Sequence, residues 1–125
     1  MTKIMHGVVL KDFKVPSPKG RQFDVTDKIS IAAIDNFIKR LPVAGRFKST
    51  ESTCIPFNIL SANYNQETKQ LIADIEIFDD MLTFFKFDET GALTTKFSMR
   101  SFIDSNSQEE HIIIKSIITF EINSD

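Results

Sequence analysis

The chain has 125 residues, enough for one hydrophobic core and not for two, so a single domain over 1–125 is expected. A formal charge of −2, with acids and bases interleaved, leaves no electrostatic footprint for nucleic acid or an anionic membrane. One cysteine excludes an intrachain disulfide, and the chain lacks the ligands of a structural zinc site, so neither a metal nor a cofactor is expected. Twelve phenylalanines and no tryptophan point to a core of Phe, Ile and Leu. The N-terminus lacks the apolar centre of a signal peptide, and no stretch approaches ~20 apolar residues. A soluble, intracellular protein is the expectation.

Met5 to Val15 carries Val8, Val9, Leu10, Phe13 and Val15 and reads as a first strand, with His6 just ahead of its apolar part. The strand ends at Val15-Pro16-Ser17-Pro18-Lys19-Gly20-Arg21, where two prolines and a glycine impose an irregular connection. Thr26 or Asp27 can cap a helix, and Ile31, Ile34, Phe37, Ile38 and Leu41 then recur at helical spacing. The helix, about residues 27–41, stops at Pro42. Val43 to Thr53 is polar in composition and reads as a loop.

From Cys54 the period becomes two. Cys54 reads as a small buried residue opening a strand with Ile55, Phe57 and Ile59. Asn63 to Lys69 reads as a polar hairpin connection, and Leu71, Ala73, Ile75 and Ile77 line one face of the returning antiparallel strand. Met81 to Phe87 reads as a further short strand, closed by an Asp88-Glu89-Thr90-Gly91 turn. The next stretch, Thr94 to Asp104, alternates: Thr95, Phe97, Met99 and Ser101 on one side, Thr94, Lys96, Ser98, Arg100 and Phe102 on the other. The last strand, Ile112 to Ile122, is too long and apolar for an open edge and belongs inside its sheet. The expected fold is α+β: a mostly antiparallel, curved sheet or small β-barrel with one main helix.

No phosphate loop, His-x-x-x-His pair or Cys-x-x-Cys pair is present. The acidic pairs Asp79-Asp80 and Glu109-Glu110 fall at strand ends and turns, where solvated charge is the ordinary explanation. Ser98 is the one nucleophile candidate, in the only Ser-x-Arg combination of the chain. A serine hydroxyl is inert near neutral pH unless a base takes its proton. The two histidines, His111 and His6, are the only imidazoles available. His111 opens the strand after the one carrying Ser98, which places it at the loop end of that hairpin.

The order of these segments resembles the prohead maturation proteases of tailed bacteriophages, serine peptidases that trim scaffold and capsid proteins in the immature head. In that family an early strand precedes an arginine-containing connection of the form Asn-x-Asn-x-Arg-x-Tyr-Pro and then a helix. Ser17-Pro18-Lys19-Gly20-Arg21-Gln22-Phe23 and the helix to Leu41 stand in that place. Phe97-Ser98-Met99-Arg100-Ser101 matches the nucleophile segment, and Ile117-Ile118-Thr119-Phe120-Glu121 the closing strand. Where the family has Gly-x-x-x-His, this chain has Gly45-Arg46-Phe47-Lys48-Ser49, with Ser49 in the histidine position; Arg100 is followed by Ser101 rather than glycine.

The resemblance, with its missing base, implies a fold that has outlived its chemistry. The expectation is a non-catalytic virion or head-assembly protein in the host cytoplasm or the virion. It would act by binding capsid, scaffold or other virion proteins or a second copy of itself, through Arg100, Lys96 and Arg21. Two rivals stand beside it: an active peptidase using Ser98 with His111 or His6, and a phage-encoded inhibitor that binds a host enzyme.

Overall fold

Residues 1–48 and 54–123 are described by the computed structural model, a mixed α+β arrangement built mostly of antiparallel strands. The most regular part is the hairpin of β5 (Phe57–Asn65) and β6 (Gln70–Phe78). Its alternation puts Phe57, Ile59, Leu71, Ile75 and Ile77 on one face, each with no measurable exposure. The long strand β1 (Thr2–Asp12) pairs antiparallel with β6, and the two-residue β3 (Val43–Ala44) with β5, giving a four-stranded sheet ordered β1-β6-β5-β3. A bulge interrupts β1 at His6–Gly7, where Gly7 takes φ +67°. The Asp74 carboxylate serves this bulge twice, accepting from the Gly7 N–H at 3.2 Å and facing His6 Nδ1 at 3.2 Å.

A second sheet, ordered β4-β9-β7, holds β9 (Ile114–Ile122) between β4 (Arg46–Phe47) and β7 (Ser98–Ile103). The apolar last strand is therefore central, as its composition demands. A two-stranded parallel ribbon, β2 (Gln22–Phe23) with β8 (His111–Ile112), completes the strands.

The helix α1 (Lys28–Arg40) starts at Asp27, whose carboxylate accepts from the Ile29 N–H, and ends where Leu41 turns extended before Pro42. Its buried positions are Ser30, Ala33, Ile34 and Phe37. The Phe37 ring meets Phe120 of β9 edge to face at 5.6 Å. Two polar side chains fix the helix along β9: Ser30 Oγ accepts from the Ile114 N–H at 3.0 Å, and the Arg40 guanidinium donates to the Ile117 carbonyl. Both backbone groups lie beside register shifts in the β7–β9 ladder, so the helix satisfies groups in the irregular stretch.

Several sequence expectations are corrected. The first strand begins three residues early, at Thr2 opposite Phe78, and Phe13 leaves the ladder to enter the core. Ile31 lies off the buried stripe and is 37% exposed, because Ser30 and Ala33 face β9 instead. The start of the expected 43–53 loop forms strands, β3 and β4, since Gly45 lets the chain pass against the buried Phe57 ring; a Cβ there would meet ring atoms at 2.2 Å. Ser49 and the rest of that segment to Thr53 lie outside the described residues. Cys54 and Ile55 precede β5 and are exposed.

Met81 to Phe87 does not form a strand either. A 3₁₀ helix, Asp79–Phe84, turns Phe84 toward Phe47 and lets the next residue, Phe85, reach Phe57, with ring centroids 5.0 and 5.9 Å apart. Placing neighbouring rings on different partners, with Phe85 buried and Phe84 exposed over Phe47, overrides strand propensity. The Asp88–Gly91 turn forms as read, with Gly91 at φ +85° and its N–H bonded to the Asp88 carbonyl. No barrel closes: the strands divide into three separate sheets. No helix among the described residues is long and apolar enough to cross a membrane.

Candidate functional site on the three-stranded sheet

β7 forms the outer strand of its sheet, and its alternation turns Phe97 and Met99 toward the core. Ser98, Arg100 and Phe102 therefore share the other face. Residues opposite one another in a ladder share a face, so the register places the rest of this surface. Ser98 lies opposite Glu121 of β9, which in turn lies opposite Arg46 of β4; Arg100 lies opposite Thr119, and Phe102 opposite Ser116. The result is a polar row, Arg46–Glu121–Ser98, followed by Thr119–Arg100 and then the apolar Phe102.

Glu121 is the unusual member, a carboxylate one residue from the end of an apolar strand and only 8% exposed. A charge so placed needs a partner. Arg100 supplies it diagonally across the ladder, Nη1 donating to Glu121 Oε2 at 3.3 Å. Thr119, also buried, donates its hydroxyl to the Ala44 carbonyl at 2.7 Å, tying β9 to the segment that leads into β4. Beyond the polar row the surface changes character: Phe102 is 60% exposed and Ile103 48%.

The histidines are elsewhere. His111 stands on β8, past the Ile103–Ile114 end of the hairpin, whereas Ser98 stands at the opposite end beside Glu121. Five residue steps separate Ser98 from Ile103, roughly 16 Å of extended chain at about 3.3 Å per residue. The Asp24 carboxyl lies below its ordinary range chiefly through its hydrogen bond from the Thr26 hydroxyl, and His111 adds a minor lowering. His6 sits in the β1 bulge against Asp74, and this contact, with the Gly7 N–H, holds that carboxyl below its usual value. Among the described residues no hydrogen bond joins Ser98 to either imidazole.

The expected binding residues are divided as well. Arg100 belongs to the row just described. Arg21 is a structural clasp: its Nη2 donates to the carbonyls of Gln108 at 2.6 Å and His111 at 3.5 Å, holding the 104–110 connection against β2. Lys96 is exposed two residues before β7 and lines a shallow cleft of about 490 Å³ with Lys86, Thr94 and Asn123.

Sequence reasoning missed Glu121 and Arg46 as companions of Ser98. The signal for Glu121 was available, because a lone carboxylate inside Ile117-Ile118-Thr119-Phe120-Glu121-Ile122 must be paired or pushed to the surface. Arg46 had no such signal, since its place depends on a two-residue parallel pairing with β9. Chemically, the register places a hydroxyl on the same face as a carboxylate already engaged by a guanidinium, and a serine hydroxyl is inert near neutral pH unless a base takes its proton. The arrangement is suited to hydrogen bonding and ion pairing. Compared with known family models, curated proteins and solved structures, the chain matches none.

Proposed function

We propose that the chain is a non-catalytic phage head-assembly protein that binds other virion proteins through the outer face and open edge of β7. The observation that carries the reading is the neighbourhood of Ser98: Glu121 and two arginines by register, with both histidines elsewhere. The order of segments shared with prohead maturation proteases supplies the assembly context. The edge of β7 supplies the means, because an outer strand can accept another strand while adjacent apolar side chains give specificity. Phe102 and Ile103 fill that second role. The two larger sheets would act as one curved wall, hinged where Gly45 separates β3 from β4.

The test is co-expression with the capsid and scaffold proteins encoded beside the chain, followed by gradient sedimentation. The wild-type chain should enter assembling particles, and the Phe102→Asp, Ile103→Asp double variant should remain in the free fraction. Equal incorporation of both, or incorporation of neither, would overturn the reading. The exposed Phe102–Ile103 pair also suits an inhibitor that docks on a host enzyme. Purification of a stable complex with a host enzyme, lost in the same double variant, would favour that function.

A further inference from the structure

A cavity of about 360 Å³ opens between the first turns of α1 and the turn joining β5 to β6, far from the Ser98 face in the chain. Its size falls at the small end of ligand pockets, which run from roughly 300 to 1,000 Å³. Val25, Ile31, Ile34 and the Tyr64 ring give it an apolar wall. Ile31 is 37% exposed, at the margin of the buried face formed by Ser30, Ala33, Ile34 and Phe37. Asp35 from the helix and Lys69 from the hairpin turn line the same space.

These two charges are opposite in sign, yet no ion pair joins them, and among the described residues neither side chain has another charged partner. Lys69 also holds the one left-handed non-glycine backbone among the described residues, φ +56°. Asn or Gly adopts that conformation with less strain. Its backbone is held by the Phe13 N–H, which donates to the Lys69 carbonyl at 2.9 Å. The cavity thus presents an anion, a cation and an apolar wall to one small volume.

We propose that this cavity binds a free α-amino acid with an apolar side chain. The ligand carboxylate would meet the Lys69 ammonium, its amine would meet Asp35, and its side chain would cover Ile31 and Val25. A zwitterion satisfies both unpaired charges at once, whereas a simple acid or amine leaves one of them without a partner. Burial of Tyr64, which raises its phenol above the ordinary range, keeps that wall of the cavity neutral.

The experiment is a methyl and aromatic NMR titration of the full chain with millimolar L-leucine, L-leucinamide and N-acetyl-L-leucine. Saturable shifts confined to Val25, Ile31, Ile34 and Tyr64 are expected with L-leucine. The amide, which lacks the carboxylate, and the acetylated form, which lacks the amine, should each bind at least tenfold more weakly. Asp35→Asn and Lys69→Asn should each weaken L-leucine binding to a similar degree while the thermal midpoint stays near that of the wild type. Asparagine is chosen at position 69 because it keeps the left-handed backbone. Absence of shifts, or equal binding of the three probes, would overturn the proposal.

Discussion

The two long hairpins of this molecule are built from similar residues and put to different uses. In β5–β6 the alternation runs through with a single shift in register, and one face disappears completely into the core. In β7–β9 two shifts break the ladder, charged groups take the outer face, and the strand at the edge exposes Phe102 and Ile103. The first hairpin is scaffold; the second carries charged and polar side chains on β9 and on β7, the outer strand of its sheet. Regularity marks where burial dictates the sequence, and interruption marks where something else has been accommodated.

That contrast predicts unequal costs for equal truncations. Phe57→Ala removes a ring that is fully buried and packed edge-to-face on Phe85 and Phe97. It should lower stability by about 3–5 kcal/mol in urea unfolding. Phe102→Ala, on the open strand, should change it by less than about 0.5 kcal/mol. Comparable losses at the two positions would erase the distinction between the hairpins.

A smaller effect tests how the irregular strand is held. Ser30→Ala leaves the Ile114 N–H without its buried acceptor, and the expected loss is about 1–3 kcal/mol. Faster hydrogen exchange at Ile114 should accompany it, with β5–β6 exchange little changed. Arg100→Ala removes the partner of Glu121, whose side chain is only 11% exposed although the guanidinium is 45% exposed. Because the carboxylate left behind is buried, a stability loss of about 1–3 kcal/mol is expected, with a further effect on partner binding.

The smallest effect concerns acid. Asp24, Asp74 and Asp88 all bind protons less readily than ordinary aspartates, through hydrogen bonds from Thr26, His6 and Thr90 respectively. A carboxyl depressed in the folded state contributes stability while ionised and loses it as pH falls through its folded value. Stability should therefore decline below about pH 4. Asp74→Asn should flatten part of that decline. None of the three lies on β7 or β9, so a Ser98→Ala variant should follow the wild-type acid profile.

Much of the fold was legible because burial leaves a period in the sequence. The α1 stripe, its Asp27 cap, the β5–β6 pairing, the Asp88–Gly91 turn and the central place of β9 all follow from such local signals. What escaped depends on contacts between distant segments. Phe85 reaches the core and Phe84 packs at the surface only once Phe57 and Phe47 are in place. The register shifts in Ile114–Ile122 bring Ile117 inward and leave Ile118 half-buried, which no local period announces. Of the site, Ser98 and Arg100 could be placed on one face from their spacing. Their pairing with Glu121, and the separation of Ser98 from His111, required the register.

The account turns on Ser98 as part of a binding face rather than a nucleophile. The most direct measurement is intact-mass analysis of the wild-type chain and Ser98→Ala after exposure to a serine-reactive fluorophosphonate between neutral and mildly alkaline pH. The account predicts no adduct on either protein. A stoichiometric adduct on the wild type that Ser98→Ala abolishes would contradict it.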